Sequence, residues 1–190
     1  MRLAALAATF GVAALALTAC ADTPAGRVPP AGHQSASLSF SAPSTTVMPN
    51  VATGLNACTL LTDTEAKQIA PGVGAHQDLG DLGGKGVSSC RWSQSTANDT
   101  LGHVFSITMR PTQAIDGLAV KTGGQLSHAT TPEGRQAVVI KNNGFEGDCL
   151  LSIAVGSGRI DINDATATTD GACVVVSKVS DYVEPRLPKS

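Results

Sequence analysis

The stretch CLLSIAVGSGRIDIN, residues 149–163, predicts two β-strands joined by a tight turn. Leu151, Ile153 and Val155 alternate with small residues, which is the period of a strand with one buried face. The Gly-Ser-Gly tripeptide at 156–158 follows, and glycine is favoured in the tight turns of hairpins. The segment therefore predicts an antiparallel hairpin.

Further strands are predicted on the N-terminal side of this hairpin, in segments bounded by Gly, Asn and Pro. They cover residues 87–94, 101–110, 125–130 and 136–141. Short turns between consecutive strands favour antiparallel pairing. The expected fold class is α+β, with a single antiparallel sheet of about five to six strands.

One helix is expected at each end of the folded region, both packed on the sheet. Thr62 followed by Glu65 matches a capping box, and Pro71 stops this N-terminal helix. The C-terminal helix is expected over residues 171–187, with Asp170 as its cap.

Two segments between these elements are predicted from their Gly and Pro residues. Residues 72–86 are predicted as a loop, and residues 111–120 as a short helix that begins with a proline. The sequence GGKG at 83–86 ends the loop, but a phosphate-binding loop needs an earlier glycine and a Ser or Thr after Lys85. No nucleotide site is therefore expected.

Residues 1–19 predict a lipoprotein signal peptide. Arg2 precedes an uncharged apolar run over residues 3–17, which is short for a membrane span. The sequence Leu-Thr-Ala-Cys at 17–20 resembles a bacterial lipobox, in which the cysteine is alkylated by diacylglycerol. Cys20 is therefore the expected lipidation site, and the alternatives are an ordinary signal peptide or an uncleaved anchor. Acyl chains on Cys20 would hold the protein on the extracytoplasmic face of the cell membrane.

Residues 20–54 predict a disordered tether that follows the lipidated cysteine. The segment is rich in Ser and Pro and has no apolar period, so it cannot bury enough surface to fold. Residues 55–190 are the expected α+β domain.

Four of the five cysteines remain after Cys20 is assigned to lipidation. None is spaced as Cys-x-x-Cys and no His lies close to them in sequence, so two structural disulfides are favoured over a metal site. Three pairings are formally open. Pairing of sequence neighbours gives Cys58–Cys90 and Cys149–Cys173.

Composition and motifs exclude several classes of activity. A formal net charge of −2 over 190 residues excludes the basic face of a nucleic-acid-binding protein. The Gly-x-Ser-x-Gly nucleophile motif and the His-Glu-x-x-His metal motif are both absent. No catalytic residue, metal site or cofactor is therefore predicted.

Several titratable residues that are isolated in the sequence keep one alternative open, an active site assembled from distant parts of the chain. Carboxylates occur close together at Asp78 and Asp81 and at Glu146 and Asp148, and solvated turns explain them better than a glycosidase pair. Pairing of a histidine with an aspartate through the fold stays open; the residues concerned are His76, His103 and His128, with Asp161 and Asp164. Trp92, beside Cys90, is expected in the core.

The order of these landmarks resembles the actinobacterial lipoproteins of the family called domain of unknown function 3558. The resemblance covers residues 51–187. Its landmarks are NACTLLT at 56–62, Cys-Arg-Trp at 90–92, Gly-Arg-Gln-Ala at 134–137, Cys149 in a strand and Cys173 in a terminal helix. The resemblance implies an exported cell-surface lipoprotein, and it assigns no catalytic residues.

The expected function is that of a non-catalytic binding or accessory module in the cell envelope. The expected partners are the membrane, through the lipid anchor, and a small lipophilic or glycan ligand or an envelope protein. The alternatives are an envelope hydrolase with a scattered active site and a purely structural or sensory interaction protein.

Overall fold

The computed structural model of the protein describes residues 51–95 and 102–189. The predicted signal peptide, Cys20 and the tether up to residue 50 lie outside these residues. Residues 51–54 form a turn, and Ala52 is only 1% exposed because it packs into the core. The folded domain therefore includes residues 51–54, which the sequence placed in the tether.

The described residues form one seven-stranded sheet in which every pair of neighbours is antiparallel. The spatial order is β1-β2-β3-β7-β6-β5-β4. The strands are β1 (Gln77–Gly80), β2 (Ser88–Ser93), β3 (Val104–Arg110), β4 (Gln125–Thr130), β5 (Gln136–Lys141), β6 (Asp148–Val155) and β7 (Gly158–Ala165). The α+β class and the antiparallel sheet are confirmed.

The predicted count of five to six strands is wrong, because the sheet has seven strands and the edge strand β1 was not predicted. This strand lies inside the predicted loop 72–86 and pairs with β2, with a register shift between Asp78 and Gly80. Its residues are largely exposed and carry no alternating pattern, so its order comes from hydrogen bonds to β2. A strand of this kind cannot be predicted from alternation of apolar and polar residues in the sequence.

Strands β6 and β7 form the central hairpin, as predicted. Val155 and Gly158 face each other across a two-residue turn of Gly156 and Ser157. Gly156 has a φ of 58°, which suits glycine at the first position of such a turn. This hairpin lies at the centre of the sheet, between β3 and β5.

The two helices predicted at the ends of the folded region are both present, and they differ from the prediction in detail. Helix α1 (Asp63–Ile69) begins with the capping box of Thr62 and Glu65, and it packs mainly against the second helix rather than on the sheet. Helix α2 (Thr169–Val183) packs on β6 and β7. Its cap is Thr168 and not Asp170, because the Thr168 hydroxyl accepts the main-chain N–H of Gly171.

Two predicted helical segments are shortened in the structure. The segment 111–120 contains only a 3-10 turn, Ile115–Gly117, which has no side-chain cap and includes a glycine. The C-terminal helix changes after Val183 into a 3-10 turn, Glu184–Arg186, where a proline cannot continue the α-helical hydrogen bonding.

The two faces of the sheet are covered differently. The helix face carries fully buried side chains, among them Trp92, Phe105 and Ile162, which pack in one core with Val179 of α2. The second face carries a smaller apolar cluster of Ile115, Val138 and Ile140, beside polar side chains. Trp92 is therefore a core residue, as predicted.

Two disulfides link the layers. Cys58–Cys90 joins a 3-10 turn (Ala57–Thr59) to β2, and Cys149–Cys173 joins β6 to α2. These are the pairs of sequence neighbours. Among the described residues, no helix is both long and apolar enough to cross a membrane.

Candidate functional site

A cleft of about 580 Å³ opens on the second face of the sheet. Its walls come from the 3-10 segment around Ile115, the beginning of β5 and the β6–β7 turn. Its lining residues are Ala114, Ile115, Asp116, Gly134, Arg135, Gln136, Ala154, Gly156, Ser157 and Gly158. The volume lies within the range of small-molecule sites, roughly 300–1,000 Å³. We call this site the sheet-face cleft.

The lining of the sheet-face cleft is mixed. Asp116, Gln136 and Ser157 supply polar groups, whereas Ile115 and Ala154 supply apolar surface. A second cavity of about 250 Å³ shares Ile115, Asp116 and Gln136 with it and extends along the sheet to His128. The two cavities form one groove across β5.

A buried charge cluster holds the wall of the sheet-face cleft in place. Asp161 accepts hydrogen bonds from Arg110 Nε at 2.6 Å, Arg159 Nε at 2.9 Å and Ser152 Oγ at 2.6 Å. Arg159 Nη1 in turn donates to the carbonyl oxygen of Ala114 at 2.8 Å. The paired guanidinium therefore fixes the segment that leads into Ile115. No motif marked this cluster in the sequence, because its arginines lie far from each other along the chain.

The helix side of the sheet has a smaller groove of about 270 Å³ between α2 and the β4–β5 hairpin. Val139, Leu151 and Val176 give it an apolar floor, and the Cys149–Cys173 disulfide lies in its wall. Lys141 and Asp181 lie in its lining as well. This groove is smaller than the sheet-face cleft and more apolar.

His103 and Asp164 form the His–Asp pair that the sequence left open. The His103 Nδ1 atom lies 2.8 Å from Asp164 Oδ2, and the aspartate side chain is fully buried. Burial raises the pKa of Asp164 above its usual value, although the hydrogen bond and charge of His103 oppose this. The second carboxylate oxygen, Oδ1, has no hydrogen-bond partner in the structure.

His76 lies beside the Cys58–Cys90 disulfide. Its Nδ1 lies 3.0 Å from Asp63 Oδ1, which also accepts from Trp92 Nε1 at 3.0 Å. Burial raises the pKa of Asp63, but these hydrogen bonds outweigh it and hold the pKa below its usual value. The sulfur atoms and a ring nitrogen of His76 all lie within 4.8 Å of one another. Sequence spacing missed this group because His76 is distant from both cysteines along the chain.

Arg135, from the Gly-Arg-Gln-Ala landmark, is buried beside the end of α2. Its Nη2 donates to the carbonyl oxygen of Pro188 at 2.6 Å, and its Nε lies 4.0 Å from Glu184 Oε1. Thr131 donates its hydroxyl to the same carboxylate. Arg135 therefore ties the β4–β5 turn to the C-terminal segment.

The neighbouring carboxylates stabilise loops. Asp78 accepts the N–H of Gly80 at 2.8 Å. Asp148 is buried and accepts from Gly144 N at 3.0 Å and from Asn163 Nδ2 at 2.5 Å. These contacts give the two aspartates a role in holding the chain around them.

These features define a class of protein: a disulfide-linked α+β domain with one antiparallel sheet and an open cleft on each face. The chain belongs to the family described as Protein of unknown function (DUF3558), which matches residues 15–186. The family inferred from the sequence is thereby confirmed, whereas the actinobacterial origin and the lipoprotein nature stay predictions. No curated protein and no solved structure matches the chain.

Proposed function

We propose that the protein is an exported lipoprotein, anchored through Cys20 to the extracytoplasmic face of the cell membrane, that acts as a non-catalytic binding module. The support for export is the apolar run before the Leu-Thr-Ala-Cys sequence at 17–20. Two disulfides agree with an oxidising compartment. Actinobacterial origin belongs to the same proposal, since it rests on the resemblance alone.

The observation that carries the binding role is the sheet-face cleft. A site of about 580 Å³ with a few polar groups on an apolar wall is typical of small-molecule binding. Asp116, Gln136 and Ser157 would hydrogen-bond hydroxyl groups, while Ile115 and Ala154 would contact a less polar surface. We therefore favour a small glycan over a lipophilic ligand in this cleft.

Native mass spectrometry of the protein purified from its own envelope tests this role. We expect extra mass that leaves on denaturation. Ala154→Phe, which places a ring in the cleft, should remove it. Ala165→Phe is the matched control, because Ala165 lies on the same face of the sheet and does not line the cleft. Extra mass that persists in Ala154→Phe would contradict the assignment of the cleft, and a bare wild-type chain would favour the interaction-protein alternative.

The anchor is tested separately with Cys20→Ala. The wild-type protein should fractionate with membranes and carry acyl chains on its N-terminal peptide, whereas the variant should lose both properties. A wild-type N-terminal peptide without acyl chains would contradict lipidation.

The hydrolase alternative is favoured by one observation, the His103–Asp164 pair. A buried carboxylate that orients a partly exposed histidine is the arrangement of a general base, which then needs a nucleophile within hydrogen-bond reach. A fluorophosphonate probe that labels the wild-type chain and fails to label His103→Ala would support this alternative. Absence of labelling in both would oppose a serine hydrolase.

A further inference from the structure

The edge strand β4 (Gln125–Thr130) has one side without a partner among the described residues. It pairs with β5 on its inner side and is the last strand of the sheet. All six of its residues are exposed, and its pairing with β5 is regular over the whole strand. An edge of this kind presents a row of unpaired N–H and C=O groups, to which another extended chain can add as a further strand.

The outward-facing main-chain groups of β4 belong to alternate residues. The N–H of Thr131, which directly follows the strand, donates to the carbonyl oxygen of Arg135 at 3.0 Å, so the main-chain groups of Thr131 face β5. In an antiparallel ladder, residues that exchange hydrogen bonds with one neighbour alternate with residues whose N–H and C=O face the other side. The main-chain groups of Leu126, His128 and Thr130 therefore face away from β5.

The opposite edge of the sheet is protected in ways that β4 lacks. Strand β1 has only four residues, its register shifts between Asp78 and Gly80, and Asp78 carries a charge. Short length, bulges and charged side chains are the means by which natural sheets prevent edge-to-edge pairing. Strand β4 is longer, has no register shift and contains no Asp, Glu, Lys, Arg or Pro. Of the two edges, β4 is therefore the one that can accept another strand.

Two copies of the chain are complementary in charge along this edge. Antiparallel pairing of β4 with itself about a two-fold axis brings the beginning of one strand beside the end of the other. Lys121 precedes the strand and Glu133 follows it; both are exposed, and neither forms an ion pair within the part of the chain that the structure describes. Self-pairing therefore brings Lys121 of each copy to the end of the interface where Glu133 of the other copy lies.

Exposed apolar surface accompanies the unpaired edge. Leu126 in β4 is 41% exposed, and Val120, shortly before the strand, is 42% exposed. The apolar groove between α2 and the β4–β5 hairpin runs beside the same edge, with Ala129 and Thr130 in its lining. Association at β4 would therefore cover apolar surface in addition to forming main-chain hydrogen bonds.

We propose that two copies of the protein associate through β4 and join their seven-stranded sheets into one continuous antiparallel sheet. The register that uses every outward-facing group centres on His128. In this register His128 of one copy faces His128 of the other, and Leu126 of each copy faces Thr130 of the other. Each facing pair exchanges two main-chain hydrogen bonds. The association goes beyond the binding role proposed above and does not depend on it.

Single cysteine variants of the full chain test this register in the envelope. In His128→Cys the new cysteines of two copies would face each other with their Cα atoms about 5.5 Å apart, a distance that a disulfide spans. In Leu126→Cys they would be offset by about 14 Å along the strands, since each residue rises about 3.4 Å. We expect a disulfide-linked dimer of His128→Cys on a non-reducing gel, and roughly tenfold less of it for Leu126→Cys. Leu126→Cys is the matched control, because residue 126 is exposed on the same strand.

Native mass spectrometry of the full chain, extracted from its envelope in a mild detergent, measures association without an added cysteine. We expect a wild-type dimer whose fraction rises with protein concentration. His128→Pro should weaken the dimer by about tenfold or more, because proline has no N–H to donate across the axis, whereas the ladder between β4 and β5 does not use this N–H. His128→Ala keeps the N–H and is the matched control, which should associate as the wild type does.

Three results would overturn the proposal. They are a wild-type chain that stays monomeric at every concentration, equal cross-linking of His128→Cys and Leu126→Cys, and a dimer that persists in His128→Pro. Where His128→Pro does not fold, His128→Lys replaces it, since two like charges would then face each other at the axis and should disrupt the dimer. A different peptide or protein bound to the wild-type chain in place of a second copy would assign the edge to that partner and refute self-association.

Discussion

Arg186 and Glu65 form a two-pronged ion pair between the C-terminal 3-10 turn and the first turn of α1. The Nη1 atom of Arg186 lies 3.0 Å from Oε2 of Glu65, and its Nη2 lies 2.5 Å from Oε1. Nη1 also donates to the carbonyl oxygen of Leu60 at 2.7 Å. The hydrogen bond from Arg186 and the main-chain N–H of Thr62 lower the pKa of Glu65 from 4.5 to about 2.

This pKa predicts a loss of stability in acid. Glu65 binds its proton more weakly in the folded chain, so its contribution is complete above pH 4.5 and is lost as the pH falls towards about 2. Glu65→Gln keeps a capping-box side chain but removes the charge. We expect it to cost on the order of 1 kcal/mol at pH 7, because the ion pair is partly exposed.

Urea unfolding at several pH values checks this prediction. The difference in unfolding free energy between wild type and Glu65→Gln should shrink as the pH falls from 4.5 to about 2. A difference that stays constant across this range would show that the charge of Glu65 does not contribute.

His103→Ala should destabilise the domain strongly, by about 2–4 kcal/mol, because it leaves the buried carboxylate of Asp164 without its partner. His128→Ala is the control and should change the unfolding free energy by less than about 0.5 kcal/mol, since His128 is exposed. Combining His103→Ala with Asp164→Asn should recover part of the loss, because no buried charge remains. Chemical unfolding at pH 7 measures all three, and equal effects at the two histidines would contradict the role of the pair.

The raised pKa of Asp164 has its own pH dependence. The folded chain binds this proton more tightly than the unfolded chain, so stability falls as the pH rises from 3.8 through the raised folded-state value. Asp164→Asn should remove this fall. If stability depends on pH in the same way in wild type and in Asp164→Asn, a group other than Asp164 must cause the fall.

Removal of either disulfide should cost about 3–4 kcal/mol in the chain-entropy account, because the two loops are of similar length. The cysteines are separated by 32 residues in Cys58–Cys90 and by 24 in Cys149–Cys173. The double alanine variants of each pair, unfolded by urea, measure the two costs. A cost below about 1 kcal/mol for one pair would indicate that the unfolded state is already restricted in that loop without the disulfide.

Gly158→Ala should destabilise by about 2 kcal/mol or more, because an added methyl group meets main-chain atoms. A Cβ at this position would lie 2.5 Å from the carbonyl oxygen of Arg110 and 2.6 Å from that of Pro111. Gly117→Ala is the matched control, since a Cβ there has no heavy atom within 4 Å. Thermal unfolding of the two variants separates the close approach from the general effect of replacing glycine, and equal melting temperatures would argue against the clash.

Local patterns account for the parts of the fold that the sequence predicted. Thr62 and Glu65 cap α1 through contacts three residues apart, and the alternation of Leu151, Ile153 and Val155 sets the buried face of β6. Strand β1 was missed because it is an edge strand without alternation. The predicted helix over 111–120 was wrong because docking of Ile115 on Val138 and Ile140, rather than helical hydrogen bonding, holds that segment.

The sequence by itself determined the α+β class, the central hairpin, the start of α1 and the family, because each rests on neighbouring residues or on the order of landmarks. Only the tertiary structure decided which distant groups meet. Asp161 with Arg110 and Arg159, His103 with Asp164, and His76 with the Cys58–Cys90 disulfide are brought together by strand pairing and by packing of the turns on the sheet. Contacts between side chains depend on distances of a few ångströms in space. The number of residues between two side chains along the chain does not predict these distances, because strand pairing brings distant parts of the chain together.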